Sequence, residues 1–114
     1  MIRVYKILTR RVWEEAMASG ASIGSPLDLK DGFIHLSTAV QAGETARLHF
    51  RGQTDLILVG FDAEAFGDAL KWEPSRGGQL FPHLFAALPV KSAVSIDPAP
   101  LDPDGGPVVP ALAP

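Results

Sequence analysis

The sequence predicts a single α+β domain with mixed or antiparallel sheets and two main helices. A chain of 114 residues is long enough for one hydrophobic core. Stretches with helix and strand patterns follow one another without strict β-α-β alternation, which favours α+β over a parallel α/β sheet. An almost continuous apolar run at 54–61 is typical of a strand covered on both faces, so we expect it at the centre of its sheet.

The first quarter of the chain predicts a strand, a helix and a loop. Residues 2–8 are rich in β-branched and aromatic side chains, which favours a strand. Thr9 is the expected N-cap of the following helix, and Gly20 is its expected end. The helix face expected to pack on the core consists of Val12, Trp13, Ala16 and Met17. Turn-forming residues at 24–31 predict a loop.

The next stretch predicts a strand that leads into the second main helix. Residues 33–37 form the strand, and alternation places Ile34 and Leu36 on the core face while His35 faces outward. Thr38 and Gln41 match a capping box, in which the Thr38 hydroxyl accepts from the Gln41 amide and the Gln41 side chain reaches back. The helix should then continue to about residue 51 and end at Gly52.

The second half of the chain predicts further strands with irregular connections. The residue before Pro74 is restricted to extended conformations, so 71–73 should be a strand. We expect a domain covering residues 1–97 and a proline-rich tail, extended or partly disordered, covering 98–114. The remaining expectations are a short helical turn at 63–70, a connection at 75–79, an irregular stretch at 80–88 and a last strand at 90–96.

Composition excludes several classes of function. The absence of cysteine excludes disulfides, thiolate catalysis and cysteine-ligated metal sites. A net charge of −3 argues against a nucleic-acid footprint, which requires a broad positive face. The charged beginning of the chain and the lack of an apolar run of about 18 residues predict neither a signal peptide nor a membrane span. We therefore expect a cytoplasmic protein, and composition does not distinguish a monomer from a weak dimer.

Two patterned stretches, 31–38 and 72–83, contain the candidate site residues His35 and His83. His35 stands where a strand leads into a helix N-terminus, with Ser37 and Thr38 beside it. The partial positive charge of such a terminus favours phosphate or carboxylate. The alternative for either histidine is a packing role, with the imidazole satisfied by a neighbouring group. His49, near the end of the second helix, is expected at the surface and outside the site.

The second stretch combines aromatic, charged and glycine residues. Trp72 and Glu73 on a strand would suit a flat base and a ribose, whereas a solvated strand carboxylate is the alternative for Glu73. Arg76 could bind phosphate bidentately, and Gly77 and Gly78 would allow close backbone approach to a ligand. The alternative for these three residues is an ordinary turn.

These stretches together resemble a known family. FIHLST, LKWEPSRGGQLFPHLF, the earlier VYKIL and the later DPDG are similar to small bacterial proteins of the domain-of-unknown-function family 952. The resemblance implies an α+β architecture similar to the ADP-ribosyltransferase fold, in which NAD binds in a cleft between two sheets. Among enzymes of that fold, His35 would correspond to the strand histidine that holds a ribose, and Ser37 to the small hydroxyl residue after it.

The hypothesis for function is a domain that binds NAD, or another nucleotide or phosphorylated small molecule, and transfers ADP-ribose or a phosphate group. The expected catalytic residues are His35, Glu73, Arg76 and His83. The expected ligand-binding residues are Phe33, Ser37, Thr38, Trp72, Gly77 and Gly78. In this hypothesis Glu73 stabilises a developing ribosyl cation, or Arg76 serves phosphate transfer.

Three alternatives remain open. A non-catalytic ligand-binding or interaction module would retain the cleft without the transferase chemistry. A metal site of His35, His83 and Glu73 has suitable ligand types, but no close histidine pair supports it, so no metal is expected. A structural protein would use both histidines for packing.

Overall fold

Antiparallel strand pairing organises the chain, as expected for an α+β fold. The structure, a computed structural model, describes residues 2–114. In chain order the elements are β1 Arg3–Thr9, α1 Arg10–Ser19, β2 Ala21–Ser22, α2 Pro26–Asp31, β3 Ile34–His35, α3 Ala42–His49, β4 Leu56–Asp62, β5 Leu70–Pro74, β6 Leu80–Leu84, β7 Leu88–Pro89 and β8 Ala93–Ala99. Among these residues, no helix is long and apolar enough to cross a membrane.

The main sheet has the order β1-β4-β8, with the apolar run in its central strand. Residues 56–61 of β4 are all buried, and both neighbouring strands pair with them in antiparallel register. Ile57, Val59 and Phe61 belong to one core cluster, whereas Leu56 and Leu58 belong to another on the opposite face. The predicted central strand is therefore confirmed, because alternate side chains of β4 are covered on both sides.

A second sheet, with the order β3-β6-β5, joins the first through a bridge between Tyr5 and Ser37. The prediction of an irregular stretch at 80–88 was wrong, because β6 is the central strand of this sheet. Proline has no N–H to donate to a neighbouring strand. Pro82 is tolerated in β6 because the edge on which this N–H is missing faces the end of β3, a strand of only two residues. Its carbonyl still accepts a hydrogen bond from the amide of Leu36, at 3.1 Å.

Helix α1 begins and ends as predicted, but its buried face is narrower. The Thr9 hydroxyl accepts from the Val12 amide, and Gly20 ends the helix. Trp13 and Ala16 are buried, whereas Val12 and Met17 are about half exposed. The four-residue apolar face was therefore predicted too wide, because α1 lies at the edge of the core and covers it with only one stripe.

The predicted loop at 24–31 contains a helix, so that prediction was wrong. The Ser25 side chain accepts from the Asp28 amide, and the Asp28 carboxylate accepts from the Ser25 amide, which is a capping box at the start of α2. Pro26 occupies the first turn, where its missing N–H costs nothing. The same serine, proline and aspartate side chains occur in turns, so composition alone did not distinguish the two structures.

The predicted capping box at Thr38 and Gln41 is confirmed. The Thr38 amide donates to Gln41 Oε1 at 3.1 Å, and the Gln41 amide donates to Thr38 Oγ1 at 3.2 Å. These bonds form a turn that precedes the regular helix, so α3 begins only at Ala42. The helix ends at His49 rather than at about residue 51.

The proline-rich segment after 97 contributes to one core cluster. Strand β8 continues through Ala99, and a short bridge joins Leu101 to Pro107. Val109 and Leu112 pack against the cluster that contains Tyr5, and the Tyr5 hydroxyl donates to the backbone oxygen of Ala113 at 2.6 Å. The segment therefore covers β1 from outside without forming a further regular element.

Candidate functional site

A cavity of about 750 Å³ lies between β1, β3, β6, α2 and α3. One face of the second sheet is apolar and packs into the core through Ile34 and Leu84. Because side chains alternate along a strand, the neighbouring residues His35 and His83 point to the opposite face. His35 and His83 are opposite each other in the β3-β6 register, and their ring centroids lie 5.6 Å apart. The structure therefore brings the two histidines together, and both line the cavity.

His83 is held by a carboxylate on the neighbouring strand. Its Nδ1 lies 2.8 Å from Oε1 of Glu73, and only 7% of its side chain is exposed. None of residues 2–114 forms a hydrogen bond with its Nε2. The pairing with Glu73 favours the tautomer in which Nδ1 carries the proton and Nε2 has a free lone pair. Nε2 is therefore the nitrogen that remains for a ligand.

His35 has carboxylates at both ring nitrogens. Nδ1 lies 2.6 Å from Oδ1 of Asp28, and Nε2 lies 3.0 Å from Oδ2 of Asp31. A neutral imidazole has one N–H, so it can donate to only one of the two carboxylates. Asp28 and Asp31 thus hold the His35 ring between two carboxylates.

Asp28 is the most connected polar residue of the site. Its Oδ1 accepts from the backbone amide and the ring of His35, and its Oδ2 accepts from Lys6 Nζ, at 2.7 Å, and from the Ser25 amide. Burial raises the pKa of this carboxyl, but the hydrogen bond from His35 and the charge and hydrogen bond of Lys6 outweigh that effect. The pKa of Asp28 therefore lies well below its usual range.

Lys6 is the buried cation of the site. Its Nζ also donates to the backbone oxygen of His35, at 3.2 Å. Burial lowers the pKa of the Lys6 ammonium, and the Asp28 carboxylate offsets part of that effect. The pair joins β1 to α2 under the cavity wall.

Arg76 lines the cavity, and its guanidinium has more N–H donors than its neighbours use. Its guanidinium donates to Thr45 Oγ1 at 3.2 Å, lies 3.5 Å from Oε1 of the exposed Glu44, and stands 5.0 Å above the Phe81 ring. Thr45 in turn accepts from the Ser37 hydroxyl at 3.2 Å. Since a guanidinium has five N–H donors, some remain for a ligand that enters the cavity.

The other predicted ligand-binding residues have different positions. Phe33 stacks on the His83 ring at 4.1 Å between centroids, so it supports the histidine from outside the cavity lining. Thr38 belongs to the capping box, and Trp72 lies opposite Pro82 in the β5-β6 register. Gly77 and Gly78 form an exposed turn with positive φ. Thr38, Trp72 and both glycines lie outside the cavity lining.

Sequence reasoning missed most of the cavity lining, including Lys6, Asp28, Thr45 and His49. The Ser25–Asp28 spacing was a readable signal for the helix that positions Asp28. His49, expected outside the site, lines the cavity with an exposed side chain, because one helical turn separates it from Thr45. Among residues 2–114, no three histidine or carboxylate side chains are grouped as a metal site.

The chain matches a family model described as protein of unknown function (DUF952) over residues 7–96. It belongs to the DUF952 family. Protein CC0527 from Caulobacter crescentus, which has an X-ray structure, is 50% identical in sequence to this DUF952 chain. The structural match covers 92% of each chain, with a TM-score of 0.89. A double mutant of CC0527 gives the same values.

The solution NMR structure of CC0527 is also 50% identical, covers 94% of this DUF952 chain and 92% of its own, and has a TM-score of 0.83. The comparison with curated proteins found no significant match. The family and the solved relatives therefore support the fold of the chain and leave the function to be argued from the cavity.

Proposed function

We propose that this DUF952 protein binds a phosphorylated ligand of nucleotide type, with NAD as the first candidate, in the cavity between the two sheets. One observation supports this most: the same cavity is lined by His83 and by Arg76. The imidazole of His83 is bonded to a carboxylate, and the guanidinium of Arg76 has N–H donors left for a ligand. A proton-transfer group and an anion-binding group are the pair that transfer reactions of phosphorylated ligands require.

The size and lining of the cavity suit such a ligand. Its volume of about 750 Å³ falls within the range of small-molecule sites, roughly 300–1,000 Å³. Apolar side chains, including Leu36 and Phe81, alternate with polar ones, so a base or ribose would find apolar contacts. Arg76 already stands above the Phe81 ring, which keeps the guanidinium in place.

The role of Glu73 differs from the one that the family resemblance implies. Its carboxylate bonds His83, and Glu73 is not among the cavity-lining residues. In this proposal Glu73 therefore acts through His83 and not directly on a ribosyl cation. Glu73 orients the imidazole, and Nε2 of His83 takes or gives the proton.

The second candidate function is a ligand-binding module that catalyses no reaction, and the contacts of the His35 ring favour it. In the fold that the resemblance implies, this histidine would contact the ribose. Here both of its ring nitrogens are engaged by Asp28 and Asp31. Contact with a ligand through Nε2 requires that Asp31 give up its hydrogen bond.

Thermal melting with NAD, ADP-ribose, ADP and inorganic phosphate tests the binding. A ligand at 100 times its Kd adds about 2.7 kcal/mol, which raises the midpoint of a domain of this size by about 10 °C. We expect Arg76→Ala to weaken binding of the phosphate-bearing ligands by about tenfold or more. Arg47→Ala, which removes an exposed arginine of α3 outside the cavity lining, is the matched control.

The outcomes separate the two candidates. No shift with any of the four compounds, on folded protein, rejects the proposal. A shift with NAD followed by release of nicotinamide, detected by mass spectrometry and abolished in His83→Ala, supports the transfer reaction. A shift that needs Arg76 but is followed by no product supports the binding module.

A further inference from the structure

The cavity lies along the edges of two strands and not on the face of a single sheet. Three consecutive residues of β1 line it, namely Tyr5, Lys6 and Ile7, and so do the three consecutive residues 35–37. Consecutive side chains of a strand point to opposite faces, so a cavity on one face would not meet three in a row. The backbone edges of β1 and of the segment 35–37 therefore face the cavity.

One bridge joins these two edges at one end of the cavity. The Tyr5 amide donates to the Ser37 carbonyl at 2.7 Å, and the Ser37 amide donates to the Tyr5 carbonyl at 2.9 Å. If the antiparallel ladder continued, Ile7 and His35 would form its next hydrogen-bonded pair. Among residues 2–114, β1 and β3 have no such pairing. The two edges separate after one bridge, and the cavity is the gap between them.

On the β3 side of the gap, side chains bond the backbone groups of His35. The His35 amide donates to Asp28 Oδ1 at 3.1 Å, and the His35 carbonyl accepts from Lys6 Nζ at 3.2 Å. Asp28 and Lys6 are themselves an ion pair, with 2.7 Å between Oδ2 and Nζ. This pair therefore takes the place of the strand that would have continued the ladder.

On the β1 side of the gap, the backbone groups of Ile7 have no such partners. Tyr5 directs its amide and carbonyl to Ser37, so Lys6 directs its own to β4 and Ile7 directs its own to the gap. Within the described chain, 2–114, no hydrogen bond of the Ile7 amide or carbonyl is found on this edge. Ile7 is only 5% exposed, and a buried backbone donor and acceptor require partners. Those partners have to come from a molecule in the cavity.

We propose that the backbone edge of Ile7 binds a planar group of the ligand that carries a hydrogen-bond donor next to an acceptor. A carboxamide has this pattern, and the edge of adenine formed by N1 and the 6-amino group has it too. The donor of the ligand bonds the Ile7 carbonyl, and the acceptor bonds the Ile7 amide. The inference rests on the proposed function, because it takes the same cavity as the ligand site, and it specifies the uncharged end of the ligand.

A small planar group fits this edge better than an inserted peptide strand. A strand placed between β1 and β3 would pair on both sides, but the backbone groups of His35 are already bonded to Asp28 and Lys6. Along β1, the next residue on the same edge is Thr9, which is the N-cap of α1. One donor and one acceptor therefore remain, which is the number that a single amide or base edge uses. Arg76 lines the same cavity and remains for the phosphate.

NMR titration of the ¹⁵N-labelled protein with phosphate-free compounds tests the Ile7 edge independently of the phosphate site. The compounds form two matched neutral pairs, nicotinamide with 3-acetylpyridine and adenosine with purine riboside. The second member of each pair keeps the ring and the acceptor but lacks the N–H donor. In at least one pair, we expect the first member to move the Ile7 amide resonance and to bind about fivefold tighter than the second. This is the effect of one hydrogen bond to a carbonyl that is otherwise unpaired.

Amide hydrogen exchange provides a second measurement, first on the protein without ligand. We expect the Ile7 amide to exchange about tenfold faster than those of Tyr5 and Lys6, which are bonded to Ser37 and to β4. Addition of the preferred compound should then slow exchange at Ile7 and leave the two neighbouring amides unchanged.

The outcomes decide the inference and separate it from the proposed function. Preference for nicotinamide assigns the edge to a carboxamide, and preference for adenosine assigns it to adenine. Equal binding within both pairs would overturn the inference, as would an Ile7 amide protected as well as Tyr5 in the free protein. Movement of Ile7 only with a short extended peptide would overturn it in favour of strand addition. A preference at Ile7 without any melting shift from NAD, ADP-ribose, ADP or phosphate rejects the proposed function alone.

Discussion

The two three-stranded sheets of this DUF952 protein differ in what their side chains do. In β1-β4-β8, the central strand is buried on both faces and contributes only apolar residues and Gly60 at 56–61. In β3-β6-β5, one face packs into the same core, while the other carries His35, His83 and Glu73. The first sheet serves mainly the hydrophobic core, whereas the second sheet packs on the core with one face and places site residues on the other.

This difference shows where a small domain can accommodate polar chemistry. A central strand covered on both sides has no face left for a cavity, whereas a short sheet covered on one side does. Strand β1 connects the two regions, because its Tyr5 belongs to a core cluster and its Lys6 reaches Asp28. Mutations should therefore separate into those that change stability and those that change ligand binding.

The largest expected effect is that of Phe61→Ala in the first sheet. Phe61 is fully buried and contacts Trp13 and Phe66 edge-on or tilted. Truncation should lower the free energy of unfolding by about 3–5 kcal/mol, measured by urea denaturation, because the closely packed core leaves a cavity. Ile96→Ala on β8, where the side chain is 50% exposed, is the control and should cost far less. Equal losses for the two variants would contradict the description of β4 as the core strand.

Asp28→Asn should have the next largest effect, although Asp28 belongs to the site. Removing one partner of the buried pair leaves Lys6 uncompensated and should cost about 3 kcal/mol at pH 7. Because the pKa of Asp28 is lowered by folding, its contribution is present above the ordinary value near 3.8 and is lost as pH falls below it. The difference between wild type and variant should therefore shrink in urea denaturation at lower pH. A difference that grows on acidification would refute this account of Asp28.

Thr38→Ala should have the smallest effect and tests which hydroxyl belongs to the cavity. Loss of the bond to the Gln41 amide should cost about 1 kcal/mol of stability and leave affinity for a phosphate-bearing ligand unchanged. Thr45→Val, which removes a hydroxyl that lines the cavity and bonds Arg76, should instead weaken binding. Calorimetric titration of both variants measures the contrast. Weaker binding in Thr38→Ala than in Thr45→Val would place the ligand at the start of α3.

Features that depend on neighbouring residues were predictable from the chain. The apolar run at 54–61 identified the central strand, and Thr9 and Gly20 marked the ends of α1. The reciprocal bonds of Thr38 and Gln41 followed from their spacing alone. Alternation along β3 correctly placed Ile34 and Leu36 in the core and His35 on the other face.

Features that depend on distant residues were decided only by the tertiary structure. Alternation states which face a side chain occupies, but not which strand lies beside it, so the approach of His83 to His35 required the β3-β6 register. Lys6, Asp28 and Glu73 acquired their roles in the same way, through contacts that no local pattern encodes. The sequence by itself determined the core strand, the helix caps and the facing of the histidines, because backbone periodicity acts over a few residues. The folded chain decided which charges meet, because that depends on how strands far apart in sequence pair.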